Sequence, residues 1–436
     1  MKNKAIINAR IYDYNKYIEN GFVIFGDKII KVGSMNDFVD EDYQIIDIKG
    51  KLLLPNFVCA HSHIYSIFAR GLSLPFNPNN FVEILEQMWW KIDSKIDNEI
   101  TYYSGIAASY EFLLNGVTTI FDHHASGKDI IGSLNSLKKS INNVCGLHSL
   151  LCFETSDRYN VNQCIKENHK FYVNNKNKIG VSGLFGLHAS MTLSDKTLSK
   201  IKNIIGDEPL HVHVAESKMD EDDSLSKYNV NIISRFNNFD LLKEDSLIVH
   251  GVSLSDEELS LIKEKKCYLV VNTTSNMNNA VGLPDVTKYI KYNIPVMVGN
   301  DGLTSNVALD YLNVYYSSHL RNGSPTKLNL NDILKMINNS FGYANKRLNI
   351  KIGKFEKDYL SDFMIVDYSP FTNVDKNNIF GHIFYGLFPS FRPMNVYLGG
   401  KLKVKNYQIC DKKILKEYAK CKTVSMKLWN SLLEEK

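Results

Sequence analysis

Four short apolar runs each end in residues able to bind a metal ion. They are VCAHSH (His61, His63), LHVHVAE (His211, His213, Glu216), LIVHG (His250) and MVGND (Asp301). Imidazole suits zinc or ferrous iron, and a carboxylate adds an oxygen ligand with a negative charge. On a strand, residues two apart point to the same side. His61 and His63 can therefore approach one ion from a single strand end, and His211 and His213 share a side in the same way. The expected ligand set is His61, His63, His213 and Asp301, with a position left for water. Such an open position separates a catalytic site from a closed structural one, and the Cys-rich local spacing of structural zinc sites is not found in this chain. One divalent metal is expected, Zn2+ ahead of Fe2+. An ion at about 2.0–2.2 Å lowers the pKa of its water from about 15.7 toward about 7. Glu216, three residues past His213, is the natural general acid and base. His250 can hydrogen-bond the attacking water or a developing oxyanion, and Asp301 can also accept the water's proton. His211 is expected to support the ligands or simply to be buried.

Positioning these groups requires their strands to end at one place. Eight strand-length apolar runs follow one another from about Leu52: LLLPNFVCAH, GVTTIFDHH, NNVCGLHSLLCF, KIGVSGLFGLHA, PLHVHVAE, SLIVHGV, CYLVVNT and IPVMVGND. Amphipathic stretches such as ITYYSGIAASYEFLLNG and SDEELSLIKEKK separate them. Alternation of this kind predicts an α/β chain with a (β/α)8 TIM barrel, whose active site lies at the C-terminal strand ends. The first fifty residues read as a small antiparallel β unit, and strand-like segments return in DFMIVDYS and NVYLGGKLKVKN. Both chain ends are thus expected to meet in a small β-sandwich subdomain. The expected boundaries are 1–54 for its N-terminal part, 55–352 for the barrel, 353–410 for its C-terminal part and 411–436 for a terminal helix.

Composition removes several function classes. Among 436 residues, 51 Lys and Arg face 47 Asp and Glu, a net charge of +4. With no long basic block, neither nucleic acid nor a membrane surface is an expected partner. The N-terminus lacks the apolar stretch of a signal peptide, and no run reaches spanning length. The seven cysteines are scattered, odd in number and without C-x-x-C spacing, which fits a reduced, cytoplasmic setting.

The motifs LPNFVCAHSH, GLHAS, HVHVAES, VHG, SNMNNAVG and VGNDG resemble the amidohydrolase superfamily, in its mononuclear deaminase and chlorohydrolase branch. The resemblance covers nearly the whole chain. The run FGLHA offers no lysine for the carbamylated bridge of binuclear members, which favours one metal. MWWKID, YYSG, FDHHASG, CFETSDR, VNTTSNMNN and FGHIFYG resemble most closely the SsnA-type aminohydrolases. The resemblance implies hydrolytic deamination of an amino-substituted nitrogen heterocycle, purine-like or pyrimidine-like. The alternatives are a cyclic-amide or halide hydrolase with the same site, and a non-catalytic metal-binding or regulatory protein. It also implies a homodimer and a small-molecule substrate. His188, Trp89, Ser275, Asn276 and Arg158 become candidate substrate contacts, with Arg158 equally readable as a surface salt bridge and the Trp89–Trp90 pair as helix core. His123 and His124 end the second run and alternation lets only one face the pocket; His124 joins the candidates. Asn56 stands where the family usually has Gly, and Asn tolerates the left-handed conformation that Gly permits. Asp358 likewise replaces a common Gly.

Overall fold

The computed structural model describes residues 2–434; residues 435 and 436, at the end of the expected terminal helix, lie outside the described residues. Eight parallel strand positions form a TIM barrel. They are β1 (Phe57–Ser62), β2 (Val117–His124), β3 (His148–Phe153), β4 (Val181–Gly183 continued by Phe185–Ala189), β5 (Leu210–Val214), β6 (Leu247–His250), β7 (Tyr268–Val271) and β8 (Val296–Val298). Every residue of β2, β5, β6 and β8 is buried. That explains why the runs are continuously apolar: a parallel strand is covered on both faces. Closure between β8 and β1 uses backbone N–H groups of Asn300 and Asp301, which donate to the His61 carbonyl at 3.0 and 3.3 Å. A side chain at Gly299 would put its Cβ 2.7 Å from His61 Cβ and 2.8 Å from His61 O, so only glycine admits this approach.

Both chain ends share one nine-stranded sheet. It folds over on itself: Phe25 meets Phe363 and Tyr397 with ring centroids 5.0 and 5.7 Å apart, although two and three strands respectively separate them in the sheet order. Two features differ from the sequence reading. The N-terminal unit is mixed, because strand Lys4–Tyr12 runs antiparallel to Tyr17–Phe25 but parallel to Gln44–Asp47 and Leu52–Pro55. The run LLLPNFVCAH is two strands, Leu52–Pro55 in the terminal sheet and β1 in the barrel. Asn56 at the changeover has no positive φ; its Nδ2 donates to Tyr397 O at 2.7 Å and its backbone N–H to Asp362 O. Side-chain bonding therefore replaces the left-handed turn expected there. Asp358 does take the left-handed conformation, with φ +72°.

Three helices matter for the site. Helix α1 (Asn98–Leu114) begins on an Asp97 cap and packs outside β2. Helix α2 (Thr273–Asn278) follows β7, and helix α3 (Lys412–Leu433) lies along α1, where Tyr418 stacks on Tyr110 at 3.9 Å. A helical segment over residues 81–95, with a π-helical turn at Leu85–Trp89, covers the C-terminal mouth of the barrel. Such turns widen a helix locally and are frequent at functional sites.

Candidate active site

β1 delivers His61 and His63, β5 delivers His213, and Asp301 follows β8; one ligand atom from each lies within 4.8 Å of the others. His61 Nε2 and His63 Nε2 are 3.1 and 3.3 Å from Asp301 Oδ1, and His63 Nε2 is 3.1 Å from His213 Nε2. Four ligands arranged tetrahedrally at about 2.0–2.1 Å from an ion would be about 3.3–3.4 Å apart, so these edges fit a zinc-sized ion. The far side of each ring fixes its tautomer. His63 Nδ1 donates to His123 O at 2.7 Å and His213 Nδ1 to His188 O at 2.9 Å. A carbonyl only accepts, so in the neutral rings both Nε2 atoms are bare. Two bare nitrogens 3.1 Å apart repel unless a cation sits between them, and the donor set therefore fits a divalent metal.

His61 is held by a third histidine. Its Nδ1 is 2.8 Å from His211 Nε2, and His211 Nδ1 is 3.5 Å from Cys152 Sγ, all buried. His211 is thus no bystander in the barrel: it orients a candidate ligand.

Glu216 and His250 stand beside the ligand cluster. His250 Nε2 is 3.4 Å from Glu216 Oε2 and 3.9 Å from Asp301 Oδ1, and among the described residues it has no hydrogen-bond partner. Asn276 Nδ2 donates to His250 Nδ1 at 3.0 Å, so the ring proton of neutral His250 is on Nε2, toward the cluster. Burial, then Asp301, pushes the Glu216 carboxyl well above the usual range. Burial holds His250 down at about 4. Burial would raise Asp301, but His250, His61 and His63 outweigh it and keep Asp301 well below the usual range. A bound cation's own charge would pull all three values down, adding to the shifts of His250 and Asp301 and opposing that of Glu216. His250, Asp301 and Ala215 carry φ of +71°, +60° and +48°, a concentration of left-handed backbone at one mouth. Strain of this kind persists where the surroundings over-determine it and clusters at functional sites.

A cavity opens over the cluster. His63, His213, Glu216 and Asp301 line it, together with Trp89, Trp90, His188 and Ser275. Three expected substrate contacts are placed elsewhere. His124 points outward and lies 3.3 Å from Thr101 Oγ1 on α1, because alternation turns His123 to the interior instead. Asn276 is buried behind His250. Arg158 lies behind the wall, paired with Glu154 and with Asp93 Oδ2 at 3.4 Å, its guanidinium between the rings of Trp90 and Tyr159. Glu154, Asp93 and Tyr65, which are not among the expected site residues, also line the cavity. Glu154 directly follows β3, the same signal of a polar group at a strand end that picked out Glu216. Burial raises Glu154 to about 7 against the pull of Arg158, and raises Asp93 as well.

Comparison with known proteins gives a consistent set. The model of the Amidohydrolase family matches residues 52–403. The 5'-deoxyadenosine deaminase of Methanocaldococcus jannaschii is 26% identical over 378 residues, covering 83% of this chain and 86% of that protein. The 5-methylthioadenosine/S-adenosylhomocysteine deaminase of Thermococcus sibiricus is 25% identical over 395 residues, covering 84% and 89%. Among solved structures, an adenosine deaminase from Xanthomonas campestris with bound zinc has a TM-score of 0.83 at 18% identity, covering 98% of both chains. At that identity the likeness is one of fold.

Proposed function

The chain belongs to the amidohydrolase family, and from that premise we propose that it is a metal-dependent aminohydrolase that deaminates an amino-substituted nitrogen heterocycle, purine-like or pyrimidine-like. The observation that carries this reading is the convergence of His61, His63, His213 and Asp301 on one point, with Glu216 and the unpaired His250 Nε2 beside it. We assign zinc on the three-imidazole, one-carboxylate donor set. When bound, the ion supplies Lewis acidity and acidifies a water in its shell.

The chain's own residues do the rest. His63 and His213 are locked by carbonyls into the tautomer that presents Nε2, and His61 is held by His211. Glu216, whose protonated form burial favours, carries a proton from the attacking water to the ring nitrogen next to the reacting carbon, and then carries the added hydroxyl's proton to the departing amine. His250 Nε2–H donates to the oxygen added at that carbon, while Asn276 keeps its proton on that side. Trp89 and Trp90 close over the heterocycle and exclude water. The assignment to the SsnA-type group is part of this proposal and rests on the stretches MWWKID, FDHHASG and CFETSDR. A cytoplasmic setting is supported by seven cysteines that are all free thiols. The test is ammonia release by metal-replete protein across purines, oxidised purines, pterins and pyrimidines. Ring opening or halide release without ammonia would sink the deaminase reading.

A further inference from the structure

The mechanism leaves two cavity carboxylates unused. Glu154 and Asp93 are both buried and both on the cavity wall, and Arg158 bridges them. One guanidinium between two carboxylates, with the Tyr159 hydroxyl donating to Asp93 Oδ2 at 3.5 Å, still leaves acceptor capacity to spare. Among the described residues, Asp93 Oδ1 is buried without a hydrogen-bond partner. Buried polar atoms are nearly always paired, and this orphan belongs to a residue that lines the cavity.

Distance decides what this pair reads. A Glu154 oxygen, a His123 nitrogen and a His63 nitrogen all lie within 4.8 Å of one another. A reacting carbon placed beside His63 brings Glu154 against the heterocycle itself, not against a substituent beyond it. We propose that Glu154 and Asp93 form an acceptor edge that selects a ring N–H beside the departing amine, so that the substrate is an amino-lactam heterocycle of the 2-amino-4-oxo kind. The inference rests on the deaminase reading for the position of the reacting carbon. In such a ring the amine-bearing carbon has an N–H on one flank, for the carboxylates, and a bare nitrogen on the other, for the proton of Glu216. An adenine ring has only a bare nitrogen and a carbon beside its amine-bearing carbon, so it offers this edge no donor there. Arg158 is a positioning residue: sandwiched between Trp90 and Tyr159 at 4.8 and 4.7 Å, it fixes both carboxylates.

The experiment is calorimetric binding of pterin, adenine and adenosine to zinc-loaded protein in a Glu216→Gln background, where turnover is blocked. Pterin is expected to bind about 10- to 100-fold more tightly than adenine, the range of one charge-assisted hydrogen bond. Adding Glu154→Gln, or separately Asp93→Asn, is expected to collapse that ratio with zinc content unchanged. Adenine or adenosine binding as tightly as pterin overturns the inference, and so does a preference that survives both substitutions. Should either variant fold poorly, the ratio among the three ligands in the Glu216→Gln protein still decides. Ammonia release by the unmutated protein separates the two readings. Ammonia from adenine or adenosine alone retains the deaminase and overturns the acceptor edge. Pterin preference without ammonia retains the edge and overturns the deaminase.

Discussion

Replacing His211 by phenylalanine removes its contact to His61 together with the weaker one to Cys152 Sγ. The substitution keeps an aromatic ring of similar size in the barrel interior but removes the Nε2 that lies 2.8 Å from His61 Nδ1. In the metal-free variant His61 can move its proton to Nε2, where Asp301 Oδ1 at 3.1 Å accepts it. Metal binding forces the proton back to Nδ1, now buried against an apolar ring. An unpaired buried donor costs about 1–3 kcal/mol, or about a 5- to 150-fold loss of affinity. That matches the about 10- to 100-fold loss typical when a group supporting a metal-bound histidine is removed. Competition against a chromophoric zinc chelator measures it, alongside the melting temperature of the metal-free protein, which should fall much less. An affinity within about twofold of the parent would refute the claim that His211 sets the His61 tautomer.

Three further outcomes follow from the geometry. Glu216→Gln should lower kcat by about 10²- to 10⁴-fold with zinc content intact, because the amide cannot relay a proton. Asn276→Asp should offer His250 Nδ1 an acceptor in place of the donor now 3.0 Å away, draw the ring proton off Nε2, and lower kcat while KM changes little. Burial raises Asp220 to about 7 in the folded chain, so its proton stabilises the fold at low pH and that contribution is lost as pH rises from about 4 through 7. Melting of the metal-free protein from pH 5 to 8 should therefore fall more steeply for the parent than for Asp220→Asn, and equal slopes would contradict this.

The barrel was legible because its strands are buried on both faces and so read as continuous apolar runs, eight of them in order. The same continuity hid the break inside LLLPNFVCAH, since burial in two different sheets looks alike in sequence. Strand alternation placed His61 and His63 on one side, but it could not say whether His123 or His124 turned inward; in the structure His123 packs on His213 and His124 meets Thr101 on α1. Arg158 could be read as a substrate contact or a surface salt bridge because its partners Glu154 and Asp93 come from a strand end and from a segment 65 residues upstream. His211 looked incidental because its partner, His61, is 150 residues away. Signals carried along one element survived in the sequence, whereas those set by packing between elements did not.

The central claim is that one divalent ion at His61, His63, His213 and Asp301 supports ammonia release from a heterocycle. Titrating zinc back into chelator-stripped protein, while following ammonia from a substrate found in the heterocycle screen, tests it most directly. The account predicts no release from stripped protein and a linear return of activity that saturates at one equivalent per chain, with no return in Asp301→Ala. Full-rate release without metal, or saturation only at two equivalents, would contradict it.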